Sequence, residues 1–247
     1  MNNSEIVAAY KNASRRLILT DYDGVLVLIM PTPEEAAPTK QVYDALAELT
    51  DDGRNECVIV SGRQHEILED WFGNLPLSFA AEHGLWRKER GGDWMFAMDV
   101  ETKWKSAVLD IMRLYEGRLN GTFIEDKYAG LAFHYRKAAN ADADIKELID
   151  ELQKPVADLL LKIIHGKKVV EVVPAGVDKG AAIQFWQRRG GWDFILCAGD
   201  DTTDEFMFEA LPEGAFSVKV GGGETAARYN VESQKDFMDL LAELHGK

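Results

Sequence analysis

Only two cysteines occur in the 247 residues. Each sits inside an apolar run, Cys57 in Cys57-Val58-Ile59-Val60 and Cys197 in Ile195-Leu196-Cys197-Ala198. That placement excludes a disulfide scaffold and fits buried, reduced thiols of a cytoplasmic protein. No apolar run approaches the roughly 18 residues a membrane-spanning helix needs. The stretch from Met1 to Arg16 is polar and lacks the apolar segment of a signal peptide, so export is not expected. Positive charge is also scarce. Against 42 acidic residues stand 28 Lys and Arg, a net charge of −14 that would repel nucleic acid and anionic membrane surfaces. Neither is expected as a partner.

What is present is a globular composition, 46% hydrophobic, long enough to bury a core without disulfides or metals. Short apolar runs alternate with helix-period segments, which predicts an α/β fold with a mainly parallel sheet. Strands are expected at Leu17 to Leu19, Val58 to Val60, Leu77 to Ala81, Phe194 to Ala198 and Ala215 to Val220. Val42, Leu46 and Leu49 recur at helical spacing, and Phe237, Leu240, Leu241 and Leu244 mark a last amphipathic helix.

The middle of the chain follows a different rhythm. A helix face made of Trp104, Val108, Ile111, Met112 and Tyr115 precedes two strand candidates, Thr122 to Asp126 and Leu131 to Arg136. The order then recurs, with Ile145, Leu148, Ile149 and Leu152 on a helix and a hairpin from Leu161 to Val173 turning at Gly166-Lys167. Two helix-strand-strand units predict a small antiparallel sheet with helices on one face. This is an α+β domain of residues 85–177 inserted into a core of residues 1–84 and 178–247. Within it Leu131, Phe133 and Tyr135 point one way, and Ala132, His134 and Arg136 the other, so one face packs and the other can touch a ligand. Glu171, between Val169 and Val173 on one face, is a lone charge among valines. Trp86, Trp94 and Trp104 are expected in the core.

Chemistry concentrates at the predicted strand ends. Asp21-Tyr22-Asp23-Gly24-Val25 follows the first strand directly, where open α/β sheets place their ligand crevice. A solvated turn carrying two acids is the alternative. Gly199-Asp200-Asp201-Thr202-Thr203-Asp204-Glu205 follows the strand at Phe194 to Ala198. Two acidic clusters at two strand ends of one sheet oppose each other unless a cation lies between them. Magnesium, which takes one or two carboxylates plus water and phosphate oxygens, would resolve the conflict. Equally, Asp200 or Asp201 could cap the helix that begins near Thr203. Ser61, beside Gly62 and Arg63 at another strand end, offers a hydroxyl and an amide to a phosphate oxygen. Lys179 opens a helix, where the macrodipole disfavours a cation unless it serves something else, such as neutralising a phosphate; a surface lysine is the plainer reading.

The order Asp-x-Asp, Ser, Lys, Asp-Asp resembles the haloacid dehalogenase superfamily of phosphotransferases, and the doubled insertion resembles the cap of its C2 type. More narrowly, Ala81-Glu82-His83-Gly84, Glu125-Asp126-Lys127 with His134-Tyr135-Arg136, Val170-Glu171-Val172-Val173-Pro174 and the Asp200 to Glu205 run are similar to trehalose-6-phosphate phosphatases. The likeness extends from Leu17 to about Val220 and departs at Val25, where that family more often has Thr. It implies a Rossmann-like parallel-sheet core with an inserted α+β cap domain and Mg²⁺-dependent hydrolysis of a phosphorylated disaccharide. By the resemblance Asp21 is the nucleophile and Asp23 the general acid and base, while Ser61 and Lys179 bind the transferring phosphoryl group. Asp21, the main-chain carbonyl of Asp23 and Asp200 would hold the metal, with Asp201 and Asp204 behind them or as alternative ligands. Sugar contacts are expected from Arg63, Glu82, His83, Lys127, His134, Arg136 and Glu171.

Two other readings use the same residues. A phosphatase for a sucrose, glucosylglycerol or mannosylglycerate phosphate would share the whole motif set. A phospho-receiver module also uses acids, a hydroxyl and a lysine, but it places its acidic pair before the phosphorylated aspartate and has no insertion. A monomer or small homo-oligomer is expected.

Overall fold

Arg16–Thr20 forms the central strand β1, and all five of its residues are buried, as a parallel sheet covered on both faces requires. The computed structural model describes residues 3–246. Two compact units make up the chain, one from the segment up to Ala97 together with the segment from Asp178, the other Met98–Val177. The first segment carries α1 (Ser4–Asn12), β1, α2 (Lys40–Asp51), β2 (Asn55–Val60), α3 (His65–Phe72), β3 (Ser78–Ala81), β4 (Trp86–Lys88) and β5 (Met95–Phe96). The intervening unit carries α4 (Lys105–Glu116), β6 (Phe123–Asp126), β7 (Leu131–His134), α5 (Asp142–Asp158), β8 (Leu161–Gly166) and β9 (Val169–Pro174). The chain then returns through α6 (Lys179–Arg188), β10 (Phe194–Gly199), α7 (Thr202–Glu209), β11 (Phe216–Val220), β12 (Tyr229–Val231) and α8 (Gln234–Leu244).

The larger unit is built on an eight-stranded sheet of order β12-β11-β10-β1-β2-β3-β4-β5. Alternation along its strands splits the core into two layers. Ile18, Cys57, Ile59, Phe79 and Leu196 face α1, α2, α3 and α8, while Leu17, Leu19, Val58, Val60 and Cys197 face Ile183 and Trp186 of α6 and Met207 and Phe208 of α7. Each fully buried aliphatic side chain of this kind contributes about 1.5–3 kcal/mol, so both layers strongly favour this register. β1 pairs in parallel with β10 on one side and β2 on the other. The strand order reverses at β1, the point at which open α/β sheets place a ligand crevice beyond the carboxyl ends of their strands.

Residues 85–97, expected at the start of the insertion, belong instead to the large sheet. β4 and β5 add to β3 as antiparallel strands. No apolar run announces them, because aromatic stacking holds them: Trp86 lies 3.8 Å from Phe96 and Trp94 lies 5.5 Å from Phe79, centroid to centroid.

The second unit folds around its own core. Its sheet, ordered β6-β7-β9-β8 and antiparallel throughout, turns Leu131, Phe133, Val170 and Val172 toward Val108, Met112, Ile145, Leu148 and Leu152 of α4 and α5. Trp104 joins that cluster. The β8–β9 turn falls one residue later than expected, since Gly166 pairs with Val169 and leaves Lys167 and Lys168 as the loop. Lys168 takes a positive φ of 68°, a left-handed conformation uncommon for a residue with a side chain. Phe133→Ala should cost about 3–5 kcal/mol of stability. Hydrogen exchange should show the loss as reduced protection across Met98–Val177, with protection in β1 and β10 retained.

Candidate active site

The first site loop is an extension of β1. The Asp21 amide donates to the Ala198 carbonyl at 3.0 Å, so strand pairing continues past Thr20 and fixes Asp21 at the sheet edge, where its side chain is buried. Tyr22 points the opposite way into the core and donates its hydroxyl to the Ala36 carbonyl at 2.7 Å. Gly24 then takes φ +82°, and a Cβ at this position would lie 2.2 Å from Asp200 Oδ2. Only glycine lets the loop pass that carboxylate.

The second loop is organised by Asp204, which is fully buried. Its Oδ2 accepts the amides of Asp200 and Asp201 at 2.8 and 2.9 Å, and its Oδ1 accepts from Lys179 Nζ at 2.7 Å. Asp201 is the N-cap of α7 and forms a capping box with Asp204. Lys179, at the start of α6 behind the N-cap Asp178, has the same ammonium 3.1 Å from Asp21 Oδ1. The helix dipole opposes a cation there, and two carboxylates outweigh it.

Electrostatics follow from this convergence. Oxygens of Asp21, Asp200 and Asp204 all lie within 4.8 Å of one another, and the three residues are buried. Burial, and then the negative charges of Asp204, Asp200 and Asp23, hold the Asp21 carboxyl well above the usual range despite the opposing pull of Lys179. Burial works against charge on Lys179 too, but Asp204 and Asp21 overcome it and raise its pKa further. Three acids and one ammonium leave the cluster short of positive charge. Both oxygens of Asp204 are already engaged, so Asp21 and Asp200 are the carboxylates suited to a cation. An octahedral Mg²⁺, which needs only one or two of them, fits this donor set.

The loops after β2 and β3 are laced together. Glu82 donates its amide to the Arg63 carbonyl and His83 to the Ser61 carbonyl, both at 2.9 Å. Glu82 and His83 both adopt positive φ, 47° and 57°, a costly conformation for non-glycine residues that neighbouring structure must enforce. A Cβ on Gly62 would sit 2.8 Å from the His83 ring. Ser61 is buried, and its Oγ accepts the Arg63 amide at 3.2 Å. Arg63, expected among the sugar-binding groups, grips Asp23 through two bonds of 2.8 Å and donates to the Pro33 carbonyl at 2.9 Å. Its guanidinium also lies over Trp71 at 4.7 Å. Planar bidentate pairs of this type are strong and directional.

On the second unit, Lys127 and Glu171 form a buried ion pair of 2.7 Å, and Glu171 sits opposite Ala132 in the β7–β9 register. His134 lies 2.9 Å from Glu125 and stacks on Phe123 at 4.4 Å. Glu125 enters the sequence reading only as part of the Glu125-Asp126-Lys127 stretch and is given no site role there, although its spacing from Lys127 in extended chain puts both on one face. Arg136 is exposed and donates to the Lys167 carbonyl across the hairpin.

Replacing Asp204 by Ala should destabilise the fold by about 3–5 kcal/mol, because it leaves a buried ammonium and two buried amides without their acceptor. Urea unfolding measures this, and Asp204→Asn, which keeps an acceptor oxygen, should lose less.

A protein-family model described as Trehalose-phosphatase matches residues 19–235. The chain is 40% identical over 254 residues to alpha,alpha-trehalose-phosphate synthase B of Dictyostelium discoideum, with 98% of this chain and 32% of that protein covered. It is 40% identical over 237 residues to the bifunctional trehalose-6-phosphate synthase/phosphatase of Thermoproteus tenax, covering 95% of this chain and 32% of that one. The present chain thus spans about a third of the length of these relatives. The solved C-terminal domain of the C. albicans trehalose-6-phosphate phosphatase superposes with a TM-score of 0.95 at 30% identity, covering 100% of this chain and 97% of that one. With the matched model beginning within β1 and taking in the insertion and both acidic loops, the chain belongs to the trehalose-phosphatase family.

Proposed function

We propose that this chain hydrolyses trehalose 6-phosphate to trehalose and phosphate through an aspartyl phosphate on Asp21, with Mg²⁺ as cofactor. The observation that carries the reading is the convergence of Asp21, Asp200 and Asp204 within 4.8 Å beside Lys179. The substrate is supported by the family and by the relatives' names.

Asp21 and Asp200, with the main-chain carbonyl of Asp23, are the groups that would hold the cation. When bound, it supplies charge neutralisation to the carboxylates and the phosphate oxygens. Asp21 Oδ attacks phosphorus in line with the sugar oxygen, so an O–P bond forms to Asp21 as the bond to the sugar breaks. Asp23 gives the departing alkoxide a proton, then takes one from the water that attacks the aspartyl phosphate and releases inorganic phosphate. Both Asp23 oxygens accept from Arg63 in this structure, so one of these bonds opens for Asp23 to carry the proton, and Arg63 is a residue that orients Asp23. Ser61 and Lys179 meet the transferring phosphoryl oxygens, where electrostatic placement is the main catalytic contribution. Asp204 keeps Lys179 charged and aimed, and Asp201 serves α7 as its cap. Glu82, His83, Lys127, His134, Arg136 and Glu171 are the proposed sugar-recognising groups, since hydroxyl-rich ligands are held by charged side chains that make several hydrogen bonds each.

Among the described residues no helix is long and apolar enough to cross a membrane. The buried thiols Cys57 and Cys197 suit a reducing compartment, which supports a cytoplasmic setting.

Phosphate release from trehalose 6-phosphate, sucrose 6-phosphate, glucosylglycerol phosphate and mannosyl-phosphoglycerate tests the substrate, with trehalose 6-phosphate expected to give the highest kcat/KM. Chelation should abolish turnover, magnesium should restore it, and Asp21→Asn should reduce it to background while the protein stays folded. Undiminished turnover in either case overturns the mechanism. Glu171→Gln should raise KM for the sugar phosphate and spare hydrolysis of a small aryl phosphate; equal losses on both would remove Glu171 from sugar recognition.

A further inference from the structure

Glu205 follows Asp204 in the acidic run, yet the chemistry above gives it no task. Its two oxygens are divided between separate parts of the fold. Oε1 lies 3.1 Å from Lys219 Nζ. Oε2 accepts the Thr225 hydroxyl at 3.1 Å and the Ala226 amide at 2.8 Å. Thr225 Oγ1 in turn accepts the Ala227 amide at 3.0 Å, so the carboxylate holds a small knot of backbone beyond β11. Lys219 itself is buried, only 4% exposed, in a strand whose five residues are all buried. A lysine in that setting is rare unless paired, and its partner across the sheet is Gly199, the residue before Asp200.

The position of Glu205 gives this knot a consequence. α7 has eight residues, too few to be stable alone in water, so its setting comes from the packing of Met207 and Phe208 together with what is tied to its first turn. Asp204 lies on the same turn and carries Lys179 on one oxygen and the amides of Asp200 and Asp201 on the other. A small rotation of the turn would move all of these together. The segment before Thr225 is tied toward β12 and not toward α7, the Gly221 amide donating to the Val231 carbonyl and the Gly221 carbonyl accepting from Asn230. Gly221 and Gly223 have φ of +85° and +113°, and nothing lies within 4 Å of a Cβ built on Gly221, Gly222 or Gly223.

We propose that Glu205 and Lys219 are positioning residues for the carboxylate cluster, fastening the first turn of α7 to β11 and to the Thr225-Ala226 backbone so that Asp204 keeps the Asp200 loop placed for the cation and Lys179 placed for the phosphoryl group. The inference rests on the metal reading given above. It differs from a purely structural role in what it moves. Groups that orient metal ligands from behind change metal affinity or activity by about 10–100-fold when removed.

The test is a titration of magnesium chloride alone into the full chain, followed by calorimetry and by the metal-dependent rise in Tm, for the wild type, Glu205→Gln and Lys219→Met. The midpoint for Mg²⁺ should weaken by about tenfold in both variants. With trehalose 6-phosphate, kcat should fall while KM changes little. Variants that bind Mg²⁺ like the wild type overturn the proposal, as does a rise in KM at unchanged kcat. A wild type that shows no response to Mg²⁺ overturns the metal reading instead, which keeps the two failures distinct. Should either variant fail to fold, Thr225→Val, which removes the hydroxyl that donates to Glu205 and accepts from the Ala227 amide, carries the test. Its Mg²⁺ midpoint should shift in the same direction by a smaller factor, and an unchanged midpoint again overturns the proposal.

Discussion

Like charges brought together in a buried place are the constraint on which this molecule turns. Two carboxylates about 4 Å apart repel by about 4 kcal/mol at an effective dielectric of 20, and three such groups meet at the carboxyl ends of β1 and β10. The fold answers with fixed positive groups. Lys179 bridges Asp21 and Asp204, and two amides close on the remaining oxygen of Asp204. These offsets still leave the Asp21 carboxyl raised well above the ordinary range, because burial and then the neighbouring carboxylates outweigh Lys179. A net charge of −14 over the whole chain makes such local compensation necessary for any anionic substrate.

Several features of the larger unit read as consequences of that arrangement. Gly24 is required because Asp200 occupies the space a side chain would take. The positive φ angles of Glu82 and His83 persist because their amides are tied to the carbonyls of Arg63 and Ser61, which joins the loops after β2 and β3 into one support. Arg63 extends that support to β1 by gripping Asp23. The insertion pairs Lys127 with Glu171 and Glu125 with His134 beside strands whose other face is committed to an apolar core.

Much of this was legible in the amino-acid order. Period-two and period-3.6 patterns place β1, β2, β10, β11, α2, α8 and the doubled insertion, because burial on a strand or helix leaves a regular apolar signature. The spacing of Asp21, Ser61, Lys179 and Asp200 along the chain points to one crevice, because each follows a strand or opens a helix. Where side-chain stacking rather than apolar runs holds a strand, the pattern is silent: β4 and β5 depend on Trp86 against Phe96 and Trp94 against Phe79, and none of these contacts has a period.

Composition and order by themselves determined the class of fold, the presence of an inserted unit, the absence of a spanning helix and the set of acids available for chemistry. These depend on local periodicity and on residue identity, which are properties of the chain. Tertiary structure alone decided the pairing of each charge. Arg63 turns to Asp23, Lys179 stands between two aspartates, Asp204 spends both oxygens on protein donors, and Glu205 reaches Lys219 and Thr225. Ion pairs and hydrogen bonds act over about 3 Å between residues far apart in sequence, and only the packed sheet brings those residues within that distance.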